Sequence, residues 1–160
     1  MVRTATAQVI TARQILDQWQ GHRRLTRRVI AAFPEKELFE FTIGDMRPFA
    51  LMAEEMIKMS GPGVKGLATG IWEKLEWREQ TYKTKDELLK AWDDTTETIE
   101  EVWNKIPPYR FQDNDLAFGE YEGPLYGTLL YFIDNEVHHR GQGYVYLRAL
   151  GIEPPAFWMR

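Results

Sequence analysis

The chain has 160 residues, with 20 lysines and arginines against 24 aspartates and glutamates, and no cysteine. That length suits a single domain over residues 1–160 whose core needs no cross-links, and the missing thiols exclude disulfides, thiolate metal sites and cysteine nucleophiles. A formal charge of -4 argues against nucleic-acid binding through the overall field, and no run of about 18 apolar residues is present to span a membrane. The first residues carry no apolar secretory core, so a cytoplasmic location is expected.

A first helix is expected from Thr4 to Phe33, where Ile10, Ile15, Trp19, His22, Leu25, Val29 and Phe33 recur at helical spacing before Pro34 stops it. Its basic cluster of His22, Arg23, Arg24, Arg27 and Arg28 reads as a solvated face, with His22 near enough to the apolar stripe to be a core histidine. The stretch PEKELFEFTIGD reads as a loop. A second helix is expected to start at Asp45 or Arg47, with Asp45 as its N-cap, and to end at Met59 before Ser60-Gly61-Pro62-Gly63. Phe49, Met52, Met56 and Met59 form its inner stripe; at 100° per residue Glu55 lies beside Met52 and Met59, whereas Glu54 swings outward. Residues 64–84, with Ile71, Trp72, Leu75 and Trp77, read as an irregular crossover that covers one end of the core and is long enough to join two parallel helices.

Thr84 and Glu87 form a capping box that opens a third helix, with Leu88, Trp92, Thr95, Ile99, Val102 and Ile106 inside and Pro107-Pro108 at its end. From Tyr109 to Glu122 an acidic loop is expected; Asp113-Asn114-Asp115 lacks the glycine and terminal glutamate of a calcium loop. The fourth helix occupies Gly123–Gly151, with Pro124 at its first position and Gly151 as a left-handed C-terminal cap. The tail from Ile152, ending in Phe157, Trp158 and Met159, is apolar enough to pack on the domain or on another subunit.

The fourth helix carries the chemistry. Leu125, Leu129, Phe132, Glu136, His139, Gly143, Leu147 and Leu150 share one stripe, and Glu136 and His139 interrupt it where a buried carboxylate and imidazole each need a partner. Asn135 lies at the stripe's edge one turn before His139, while His138 and Asp134 point away. Phosphate loops, GxSxG elbows and HExxH motifs are absent. What remains is a four-helix interior in which Glu55 faces Asn135, Glu136 and His139, an arrangement from which bundles build metal sites and which equally suits a buried hydrogen-bonded pair of Glu55 with His139.

The runs HHRGQGYVYLRALGIEPP, RPFALMAEEMIKM and LATGIW resemble the DinB/YfiT-like superfamily, named for DNA-damage induction, and the resemblance covers nearly the whole chain. It implies an all-α four-helix bundle with a long crossover between helices two and three, a homodimer, and a divalent ion, nickel or zinc, held by three histidines. Some relatives are transferases or hydrolases dependent on small thiols; DNA binding is not implied. By the same resemblance the family's helix-two histidine falls on Glu55 and the first of its HxxxH pair on Asn135, leaving only His139 unchanged. A Glu55, Asn135, His139 set favours oxygen-loving ions over zinc or nickel, with Glu136 as a substitute for Asn135. Two functions follow as expectations: a metal-binding protein acting on a small molecule or thiol, and a metal-free bundle serving as a ligand-binding or dimerisation module.

Overall fold

A computed structural model describes residues 8–76 and 79–160. Its elements are α1 (Ala12–Ala32), α2 (Glu35–Glu40), α3 (Phe49–Thr69), α4 (Lys85–Trp103), a 3-10 turn (Pro108–Gln112), β1 (Asn114–Ala117), β2 (Tyr121–Pro124) and α5 (Leu125–Ala149). α1, α3, α4 and α5 are the four helices expected, packed so that α3 touches α4 and α5 while α1 touches the same two from the other side. Near the start of α4, Lys85 Nζ donates to the carbonyl of Phe33, while Trp103 at its end packs on Trp19, so α1 and α4 are antiparallel. Met52 and Met56 share a cluster with Leu88 and Trp92, and Val64 and Leu67 share the next with Ile99 and Trp103, so α3 and α4 run parallel, as the long crossover requires.

Thr11 caps α1 through a capping box with Gln14, so the helix begins at Ala12; of the expected start, Thr4 lies outside the described residues. PEKELFEFTIGD is not simply a loop. Its first part forms α2, with Glu35 and Glu37 in the positive first turn and Leu38 buried as its anchor. Asp45 caps nothing, because Pro48 disfavours helical backbone just before it and becomes the N-cap itself. Nor does Ser60-Gly61-Pro62-Gly63 end the second expected helix: α3 continues through Pro62 to Thr69 and stops at Gly70 in the left-handed conformation (φ 73°). Packing overrides local propensity here, since a Cβ on Gly63 would sit 2.5 Å from the ring of Phe132. The irregular crossover is therefore shorter than expected, and Trp77 within it lies outside the described residues.

The capping box at Thr84 is present, although α4 ends at Trp103, before the two prolines. The expected acidic loop is instead a 3-10 turn and a hairpin in which Ala117 pairs with Tyr121. Phe118 at its tip takes a positive φ of 56°, a strained state for a non-glycine residue, and thereby buries its ring against Trp72 and Phe132. Pro124 is the N-cap of α5 and not its first residue, and Gly151 has the expected left-handed backbone (φ 75°). The tail folds back on the domain, with Pro155 accepting from the Tyr144 hydroxyl, but Phe157 and Trp158 stay exposed. Among the described residues no helix is long and apolar enough to cross a membrane.

The core divides in two. One cluster, around Trp19, Met59, Ile99, Leu129 and Phe132, fills the end near the hairpin; the other, around Phe33, Phe49, Met52, Trp92 and Tyr146, fills the opposite end. Between them lies a belt of buried polar side chains.

Candidate functional site

Two polar networks occupy that belt, on opposite sides of α5. The first joins α5 to α3. Glu55 Oε1 lies 3.0 Å from both His139 Nε2 and Asn135 Nδ2, and Glu55 Oε2 lies 2.6 Å from an Arg47 guanidinium nitrogen. Burial pushes the Glu55 carboxyl up, but hydrogen bonds from His139, Asn135 and Arg47 outweigh it and hold the group at about 2. Glu55 is thus an anion at any ordinary pH. On its other side, His139 Nδ1 lies 2.7 Å from Gln142 Oε1.

Both ring nitrogens of His139 therefore face oxygens, yet a neutral imidazole has one proton to give. A second proton on the ring, a cation between Nε2 and Glu55, or a Gln142 amide turned to present its NH2 group resolves the contact. Asn135 adds a related feature: its Nδ2 donates to Glu55, and its Oδ1 is buried with no partner among the described residues. The expected trio of Glu55, Asn135 and His139 is thus brought together.

Glu136 belongs to the second network, between α5 and α1. It accepts from the Trp19 indole at 3.3 Å and the Thr26 hydroxyl at 2.7 Å, and pairs with Arg23 at 3.7 Å and Arg140 at 3.9 Å. All its partners lie away from Glu55, so it does not stand in for Asn135. Arg23 corrects the reading of a solvated basic face, because it is fully buried. Its guanidinium stacks 3.5 Å over the Trp92 ring and donates to the Thr96 and Ser60 hydroxyls and the Trp92 carbonyl. One side chain thereby ties α1 to α3 and α4, and through Glu136 to α5. Its signal in the sequence is its place one turn after Trp19, on the line that continues through Thr26 and Ile30.

Glu54 is a second correction. The helical count swings it outward, yet it is more deeply buried than Glu55, because residues 79–83 pass over it and the Thr81 and Tyr82 amides donate to its carboxylate. It anchors the crossover. Arg47 and Gln142, which orient Glu55 and His139, escape helical counting: Arg47 precedes α3, and Gln142 shows only as the residue three after His139 in HHRGQ.

Glu55 also lines a cavity of about 360 Å³ between α3, α5 and the hairpin. Met59, Phe118 and Phe132 form its apolar wall, and Gly127 and Thr128 its α5 side. The trio therefore sits beside a chamber large enough for a small organic molecule.

The sequence profile of the DinB family matches residues 1–160. This chain belongs to the DinB family. The crystal structure of the DinB-like protein YjoA from Bacillus subtilis superimposes with a TM-score of 0.74 at 14% identity, covering 92% of this chain and 99% of that one. A DinB-like protein from Bacillus cereus gives a TM-score of 0.73 at 14% identity, covering 90% of this chain and 95% of that one. At such identity these two establish the shared fold. No curated protein matches the sequence.

For a divalent ion, two donor atoms stand at ligand spacing, although among the described residues no three histidine, aspartate or glutamate side chains gather as a metal set. Two ligands of one ion at about 2.1 Å stand roughly 3.0–3.4 Å apart, as Glu55 Oε1 and His139 Nε2 do at 3.0 Å. Arg47 on the far carboxylate oxygen and Gln142 on the far ring nitrogen occupy the places of outer partners that orient metal ligands.

Proposed function

We propose that this DinB-family chain is a cytoplasmic protein that binds a divalent ion through Glu55, His139 and Asn135 and acts on a small molecule held in the adjoining cavity. The convergence of the three side chains within 3.0 Å contacts, from helices that meet only through the fold, carries this reading. Bound there, the ion would supply Lewis-acid chemistry to an oxygen or sulfur of the ligand. Arg47 keeps one Glu55 oxygen turned away, leaving Oε1 directed at His139, and the burial of Asn135 excludes water from one side of the site. Transfer or hydrolysis involving a small thiol is the reaction class that accompanies the reading.

The test is elemental analysis of protein purified without a histidine tag, with titration calorimetry using manganese, nickel and zinc after chelation. About one ion per chain, lost in His139→Ala, is the expected result. No metal in any preparation and no heat with any of the three would overturn it.

A second reading rests on Arg47. Its guanidinium already balances the Glu55 charge, so the trio also works as a closed hydrogen-bonded cluster in a metal-free ligand-binding module. The failed titration just described is what that reading requires.

We also infer that two copies pair through α5. Its outward stripe reads Asp134, Val137, Gly141, Val145, Arg148, and all five residues are exposed. The order is symmetric about Gly141, with valines four residues to either side and opposite charges seven to either side. Two such helices crossing antiparallel at Gly141 would match valine with valine and Asp134 with Arg148.

A further inference from the structure

The cavity beside Glu55 has one sign of charge. Among the described residues its charged lining is Glu55 and Glu122, with no lysine, arginine or histidine. Its interior wall is apolar, built around Met59, Phe118 and Phe132, whereas Tyr121 and Tyr131 are about half exposed where they line it, and Glu122 is exposed beside them. The chamber is thus an apolar pit with an aromatic and acidic rim. An anion entering it would lose hydration, meet no cation among the described lining residues, and face the Glu122 carboxylate at the rim. An ammonium group at the rim would meet a carboxylate beside two electron-rich tyrosine rings, the residue types by which proteins recognise organic cations.

We propose that this cavity binds an organic ammonium compound, its apolar body inside against Met59, Phe118 and Phe132 and its charge at the rim with Tyr121, Glu122 and Tyr131. Its volume of about 360 Å³ admits a body the size of a phenyl ring with a short chain. Glu55 is not required to pair with that charge, because Arg47 and His139 already hold it. The proposal applies to the chain with no ion at Glu55, since an ion bound there would add positive charge to the cavity wall.

The experiment compares three ligands of similar shape, 2-phenylethylammonium, 2-phenylethanol and 3-phenylpropionate, by NMR titration of chelator-treated full-length protein. The ammonium compound is expected to bind at least ten times more tightly than the carboxylate, with the alcohol between them. Glu122→Gln is expected to cut that ratio severalfold while leaving the alcohol's affinity unchanged, and Glu122→Lys to reverse it. Because Glu122 is exposed, these variants should fold, and the alcohol's affinity reports on the cavity itself. Equal or tighter binding of the carboxylate, a ratio indifferent to Glu122, or no binding of any of the three would overturn the proposal. Testing metal-free protein keeps its outcome separate from that of the metal titration.

Discussion

His22 is held in a state its ordinary chemistry would not choose. It is buried, Arg140 donates to its Nδ1 at 2.9 Å, and Arg160 stands 3.4 Å from its Nε2. Burial, then the charges of Arg140 and Arg160, lower it from 6.5 to about 4; Glu136, the acid that shares Thr26 and Arg140 with it, is engaged by Thr26, Arg23 and Arg140. The unfolded chain takes up this proton more readily than the folded one, so stability is complete above about pH 6.5 and falls as pH drops toward 4. By pH 5 the loss from this residue amounts to about 2 kcal/mol. Urea midpoints at pH 7 and pH 5 should show it in the wild type and not in His22→Gln; an equal loss in the variant would clear His22 of responsibility. Glu55, depressed to about 2, loses its contribution only below its ordinary value of 4.5 and leaves most of this window untouched. Individual side chains were unevenly legible in the sequence. His139, Asn135 and Glu55 follow from helical angles because each faces a neighbouring helix directly. Glu54 does not, since what buries it is a crossover some 25 residues further along the chain, which periodicity within α3 cannot see.

Among the elements, the four long helices are readable from apolar spacing and the capping box at Thr84, whereas the end of α3 is not, because glycines there serve packing. Gly63 was read as part of a stop signal, yet it sits inside α3 to admit the Phe132 ring, and Gly143 does the same for Phe49 inside α5. A Cβ at Gly143 would fall 2.5 Å from Phe49 Cε2. Gly143→Ala should therefore cost about 1–3 kcal/mol through overpacking, even though alanine is the better helix former by roughly 1 kcal/mol. Gly127, on the same helix, is the control. A Cβ there meets only Pro124 at an ordinary 3.7 Å, so Gly127→Ala should be neutral or stabilising by up to about 1 kcal/mol. Urea unfolding of both variants decides between packing and propensity, and the same sign for both would refute the packing account. The hairpin was hidden for a different reason: its strands have four residues each, too few for alternation to register, and its tip holds Phe118 in a backbone region the residue itself disfavours.

At the scale of the molecule, the length of the crossover pointed to parallel second and third long helices, and that is how α3 and α4 run. The surface proposed for a second copy is less visible, because the apolar periodicity of α5 marks its inner stripe. The outer stripe has its own order. Val137 and Val145 are roughly half exposed, and Gly141 between them has nothing within 4 Å of its Cβ position, so a second helix can come close there. Under two-fold symmetry Asp134 of each copy would meet Arg148 of the other, twice per dimer. Single surface ion pairs contribute little, about 0.2–1 kcal/mol, but reversing one partner places two like-charge pairs in the interface at once. Asp134→Arg and Arg148→Asp should each shift the protein toward monomer in sedimentation at low salt, and the double variant, which restores both pairs with their signs exchanged, should recover the dimer. A lysine or a neutral residue elsewhere on the surface could mimic the loss but not the recovery. If the wild type sediments as a monomer, or if the double variant is no better paired than either single one, α5 is not the interface and the symmetry of its outer face is accidental.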